Sequence, residues 1–170
     1  MVARTSIWVG MAALLGGVLL WPAPGGLQWT AVKARIRKEF PAVPQIATRD
    51  LAARLESEKP LLLDVRTQAE YDVSHLAGAR RVEPGATPDP GVAKDTPIVT
   101  YCSVGYRSSA FAQHLREAGY THVQNLEGSI FQWANEGRPL VRDGKPATLV
   151  HPFDAKWGRL LDKQRRAEVK

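Results

Sequence analysis

The sequence predicts an α/β fold, an open and mostly parallel sheet with helices on both faces. Two short runs, LLLDV (61–65) and PIVTYC (97–102), are apolar at consecutive positions, as strands covered on both sides must be. Segments with helical spacing of apolar residues lie around them, so helix, strand, strand, strand, helix, strand, helix follow in order.

The folded block opens with TRDLAARLESEKP (48–60), where Thr48 suits an N-cap and Leu51, Ala52 and Leu55 form one helical face. LLLDV follows as a central strand. YDVSHLAGARRVEPG (71–85) reads as a loop and a second short strand, and GATPDPG (85–91) as a Pro- and Gly-rich surface connection. PIVTYC leads through SVGYR into the helix SSAFAQHLREAG (108–119), with Phe111, Leu115 and Ala118 on one side and Gly119 as its stop. THVQNLE (121–127) is another strand, and GSIFQWANEG (128–137) a short amphipathic helix with Phe131 and Trp133 in the core.

Before this block, Trp29, Val32, Ile36 and Phe40 are spaced three, four and four apart with bases between them, a short amphipathic helix. It suits either a membrane interface or the flank of the main domain. Further upstream, Ile7 to Leu20 is a continuous apolar run, of signal-peptide length and shorter than the ~20 residues of a membrane span unless extended to Leu27. The nearest cleavage box, WPA followed by Pro24, is poor, so an uncleaved anchor is expected over clean export to the periplasm. The expected organisation is therefore an anchor or signal over 1–27, a basic helix and linker over 28–45, a catalytic domain over 46–141, and a basic tail over 142–170. His151, Phe153 and Trp157 in the tail suggest a segment that packs back onto the domain or onto a partner.

The formal charge of +6 sits on the flanks: residues 1–45 and 142–170 each carry a net +4, and 46–141 carries −2. No basic patch with interleaved aromatics occurs in the central block, so a nucleic-acid partner is not expected, whereas contact with a membrane surface fits the flanks. Four bases after the apolar run, against Arg4 before it, would keep the body on the cytoplasmic side.

The chain has one cysteine, Cys102, which rules out an internal disulfide and a cysteine-based zinc site. It lies where a strand ends and a helix begins, the place where α/β sheets collect their chemistry. In CSVGYRS, Gly105 permits the positive φ needed to curl successive N–H groups around a sulfur or an oxyanion. A helix starting near Ser108 adds positive potential, and Arg107 adds a full charge. Each favours thiolate over thiol, making Cys102 a nucleophile. Ser103, Val104, Tyr106 and Ser108 complete the expected substrate-binding loop. Asp64, Arg66 and Glu70 read as an ion-pair and turn network that fixes the loop after the first strand, with Arg66 able to flank the site. His75 reads as structural, since an ionised thiolate needs no general base.

These residues resemble a family. YCSVGYRSS is similar to the C-x-x-G-x-R-S active-site loop of single-domain rhodanese-like sulfurtransferases. LLLDVRTQAEYDVSHLAGA resembles their D-V-R-x-x-x-E-[YF]-x-x-G-H-I-x-G-A signature, and GYTHVQNLEGSIFQWANEGRPL their closing segment. The resemblance covers about 46–141. Ser74 stands where Gly is usual, Leu76 where Ile is usual, and RVEPG replaces an NIP turn, departures that bear on substrate choice more than on fold. The resemblance implies a rhodanese-like sheet and a ping-pong reaction. Cys102 takes the outer sulfur of a small sulfur-containing anion such as thiosulfate, and passes it from a persulfide to cyanide or a thiol. It implies neither metal nor organic cofactor, and leaves a protein acceptor unidentified; the alternative reading is a membrane-tethered sulfur carrier or binding module that acts with a protein partner. Phosphatases of the same fold have five residues between Cys and Arg, enough to wrap a tetrahedral phosphate; this loop has four.

Overall fold

The computed structural model describes residues 26–83, 85, 86 and 91–169. Five parallel strands form the central sheet in the order β1-β5-β4-β2-β3: β1 (Gln45–Ile46), β2 (Leu61–Asp64), β3 (Arg80–Arg81), β4 (Ile98–Tyr101) and β5 (Val123–Leu126). β4 and β2, buried at nearly every position, lie in the middle, where both faces need apolar side chains. One face carries Leu51, Leu62, Tyr101, Leu126, Ile130 and Phe131, which join helices α2 (Thr48–Ser57) and α5 (Ser129–Asn135) to the sheet. The other carries Leu63, Val65, Ile98, Phe111 and Leu115 beneath helix α4 (Tyr106–Glu117). Burying each such side chain contributes about 1.5–3 kcal/mol.

Several local expectations change. Thr48 is the first residue of α2 rather than its cap; Ala47 is the cap, and the Thr48 hydroxyl donates to the Glu136 carboxylate at 2.7 and 2.9 Å, tying α2 to the end of α5. Helix α3 (Gln68–Val73) runs into the stretch read as loop, 71–85, its first three residues preceding that stretch. Thr67 caps it by a reciprocal box with Glu70, in which the hydroxyl accepts from the Glu70 N–H and the carboxylate accepts from the Thr67 N–H. Helix α4 begins two residues before Ser108, at Tyr106, because Gly105 takes the left-handed cap conformation.

Helix α1 (Gly26–Glu39) lies on the domain. Trp29 and Val32 pack on one core cluster, Phe40 on the other, and Ile36 is buried. Lys33 and Arg37 pair with Glu127. Its apolar stripe therefore faces protein rather than lipid. Among the described residues no helix is long and apolar enough to cross a membrane; the anchor expected over 1–27 lies outside them except for Gly26 and Leu27.

Residues after 141 also fold back. β6 (Leu140–Arg142) and β7 (Lys145–Ala147) make an antiparallel hairpin, and Val150 bridges Arg166. Leu160 and Leu161, at the end of the 3-10 turn Trp157–Leu160, enter the core cluster beside α5. This anchoring carries residues 151–157 across the C-terminal end of the sheet.

Candidate active site

β4 ends at Tyr101, and the next four residues form a tight loop into α4. Two hydrogen bonds from the start of α5 strap it down: Ile130 N–H to the Cys102 carbonyl at 3.2 Å and Phe131 N–H to the Ser103 carbonyl at 3.1 Å. The Cys102 N–H donates to Ser129 Oγ at 3.2 Å. Gly105 has φ +111°, and its N–H points back to Cys102 Sγ at 3.2 Å. A Cβ at Gly105 would sit 3.2 Å from Asn125 Nδ2 in a backbone region that side chains avoid, so glycine is required here. The expected cradle is thus represented at the sulfur by the Gly105 N–H, with the α4 N-terminus behind it.

Cys102 is 1% exposed and forms the floor of a cavity of about 190 Å³, whose walls are Ser103, Val104, Tyr106, Arg107, Phe153 and Trp157. Arg107 lies at its edge. Both guanidinium nitrogens bind Glu70, at 2.9 and 2.7 Å, and the second also donates to Ser103 Oγ at 3.0 Å. Ser103 in turn donates to Glu70 at 2.9 Å. Burial alone would raise the Glu70 pKa, but the Arg107 hydrogen bonds and charge, with the Thr67 N–H and Ser103, hold it at about 2. Burial would lower the Arg107 pKa; the hydrogen bond and charge of Glu70 raise it instead, so the cation is permanent. The Phe153 ring covers Arg107, 4.7 Å from guanidinium carbon to centroid. Phe153 itself has φ +66° and accepts strain for this position, steadied by its N–H to His151 Nδ1 at 3.0 Å. Burial lowers the His151 pKa, with Arg66 and Arg107 adding to it and Glu70 opposing. Neutral imidazole is also what that N–H requires as acceptor.

The structure thus brings Cys102, Ser103, Val104, Gly105, Tyr106 and Arg107 together. Ser108 faces away: its hydroxyl donates to Asn125 at 2.6 Å, and it braces the loop rather than lining the cavity. Asp64 and Arg66 are fully buried and paired, with 2.6 Å as the shortest contact, and Arg66 also holds the Ser74 carbonyl at 2.7 Å. Arg66 fixes the loop after α3 and does not reach the cavity, because β2 ends with its side chain under Tyr101. His75 is structural, stacked on Tyr71 with a 3.8 Å ring separation. Glu70 belongs to the site rather than to the Asp64–Arg66 pair, and Phe153 and Trp157 are site residues the sequence did not assign. A larger cavity of about 1160 Å³ lies at the opposite end of the sheet, by Pro60 and Leu61 at the start of β2, away from this chemistry.

The family model for the rhodanese-like domain matches residues 47–136. The chain is 35% identical over 102 residues to a sulfurtransferase of Allochromatium vinosum, a match covering 58% of this chain and 95% of that protein. It is 30% identical over 110 residues to a tRNA uridine(34) hydroxylase of Onion yellows phytoplasma, covering 59% of this chain and 36% of that one. Among solved structures, a rhodanese-like domain from Anabaena superposes with a TM-score of 0.55 at 28% identity, covering 59% of this chain and 80% of that one. The match therefore spans nearly all of the sulfurtransferase but about a third of the hydroxylase.

Proposed function

We propose that this chain, which belongs to the rhodanese-like family and is of its sulfurtransferase type, carries one sulfane sulfur at a time on Cys102. The Cys102 thiolate attacks the outer sulfur of a donor such as thiosulfate. The donor S–S bond breaks, sulfite leaves with its electron pair, and a Cys102 persulfide remains. Cyanide or a thiolate then attacks the terminal sulfur, and Cys102 leaves as thiolate. The Gly105 N–H and the α4 N-terminus stabilise anionic sulfur, and Arg107, held by Glu70, draws the anionic donor to the cavity edge.

The observation that carries this reading is a lone nucleophile at the floor of a cavity of about 190 Å³, with an N–H 3.2 Å from the sulfur and a fixed guanidinium on the wall. The four-residue spacing from Cys102 to Arg107 and the small cavity favour a sulfane sulfur over a tetrahedral phosphoryl group. Steady-state kinetics with thiosulfate and cyanide test it: double-reciprocal lines should be parallel, and Cys102→Ser should form no thiocyanate. Intersecting lines, or turnover by Cys102→Ser, would refute a covalent Cys102 intermediate. We also propose that residues 1–27 tether the domain to a membrane. Full-length protein recovered uncleaved in the soluble fraction would refute the tether.

A further inference from the structure

The cavity over Cys102 is smaller than the ~300–1,000 Å³ usual for sites that enclose a small molecule. It does not end at its own walls. Val104, Tyr106 and Trp157 are shared with a groove of about 710 Å³ between α1 and the 3-10 turn Trp157–Leu160. Val32, Ile36 and Leu160 give this groove an apolar lining, and Arg35, Lys156 and Arg159 stand along it. Among the described residues no carboxylate lines it. Glu39 accepts from the Tyr106 hydroxyl and pairs with Arg35, and Asp154 accepts from the Lys156 and Trp157 N–H groups at 2.8 and 2.7 Å, so the side-chain cations of the opposite bank are Lys156 and Arg159.

We infer that this groove seats an acidic, partly apolar peptide segment of a protein whose cysteine receives sulfur from Cys102. The inference rests on the sulfur-transfer reading and names its second substrate. An acceptor must place one thiolate in the small cavity while the rest of its chain lies outside, and the contiguous groove offers apolar lining for side chains and cations for carboxylates. A lipid surface shares that charge preference, but Cys102 is 1% exposed, at the bottom of a concave site that a flat surface cannot enter. The step balances without an oxidant. The acceptor thiol loses its proton to solvent and its thiolate bonds to the outer sulfur; the Cys102–sulfur bond breaks, and Cys102 departs as thiolate.

The test loads full-length protein with thiosulfate and follows single-turnover transfer to two synthetic peptides by mass spectrometry. Both have one cysteine flanked by leucines, with either glutamates or lysines at the remaining positions. At low ionic strength the acidic peptide should be modified at least tenfold faster. Combining Arg35→Glu, Lys156→Glu and Arg159→Glu should abolish that preference when rates are compared at equal persulfide content. Equal rates in the wild type, or a preference that survives the triple variant, overturn the inference. So does charge-dependent binding to phosphatidylglycerol vesicles without peptide discrimination, which would make the groove a membrane face. Failure to load sulfur overturns the reading beneath it. Anisotropy of the labelled acidic peptide, with serine for cysteine, separates the two cases: tight binding lost in the triple variant supports the groove, and absence of binding refutes it.

Discussion

Replacing Glu70 by Gln removes the carboxylate that organises the site while keeping its shape. In the wild type Glu70 is 1% exposed, and its carboxylate accepts from two Arg107 nitrogens and has its pKa lowered from 4.5 to about 2. A group whose folded pKa lies below its unfolded value contributes stability above the unfolded pKa and loses it as pH falls through the folded one. The depression corresponds to about 3 kcal/mol at neutral pH, of which roughly 2 kcal/mol is gone by pH 3. Arg107 keeps 27% of its side chain in contact with solvent, so water offsets part of the cost of leaving it unpaired. Urea unfolding of wild type and Glu70→Gln at pH 7 and pH 3 should show a difference of about 2–3 kcal/mol at pH 7 that shrinks to about 1 kcal/mol at pH 3. Thiosulfate kcat/KM should fall about tenfold at pH 7, as Arg107 loses its orientation. A stability difference that does not change with pH would refute the assignment of Glu70 as the ionised partner of Arg107.

Three other outcomes are expected. Gly105→Ala should cost about 1–3 kcal/mol through its positive φ and the 3.2 Å approach to Asn125, and should slow sulfur loading; unchanged melting would contradict the cap geometry. Phe153→Ala opens the cavity mouth, so alkylation of Cys102 by a bulky maleimide should accelerate severalfold while iodoacetamide changes little; equal effects on both reagents would mean the ring is no wall. Arg107→Ala should raise KM for anionic thiosulfate about tenfold and spare a neutral sulfane donor, whereas equal losses for both would remove electrostatic attraction from its role.

The strands that hold the site could be read in advance because LLLDV and PIVTYC are buried on both faces and need apolar residues at every position. The Cys102 loop could be read because glycine and arginine sit at fixed steps beyond a strand end. Six residues are too few for a helical period to emerge, so the sequence marks α3 only through its Thr67–Glu70 capping pair. That pair also explains why Glu70 was assigned to Asp64 and Arg66: neighbours in sequence suggested a common network, while the capping turn swings the Glu70 carboxylate across to Arg107. Helix α4 starts two residues before Ser108 because Gly105 takes the left-handed cap, which no local spacing requires; its fit against Asn125 and Ile36 does. Phe153 and Trp157 lie some fifty residues after Cys102 in the chain, and their place over it depends on Leu160 and Leu161 docking beside α5. No spacing in the tail encodes that docking.

The most direct test of the account is the intact mass of the purified protein and of Cys102→Ser, before and after thiosulfate under mild conditions. The account predicts a gain of one sulfur atom by the wild type, reversed by cyanide, and no gain by Cys102→Ser. An unchanged wild-type mass in protein whose thiol is free and reactive, or an equal gain by both proteins, would contradict it.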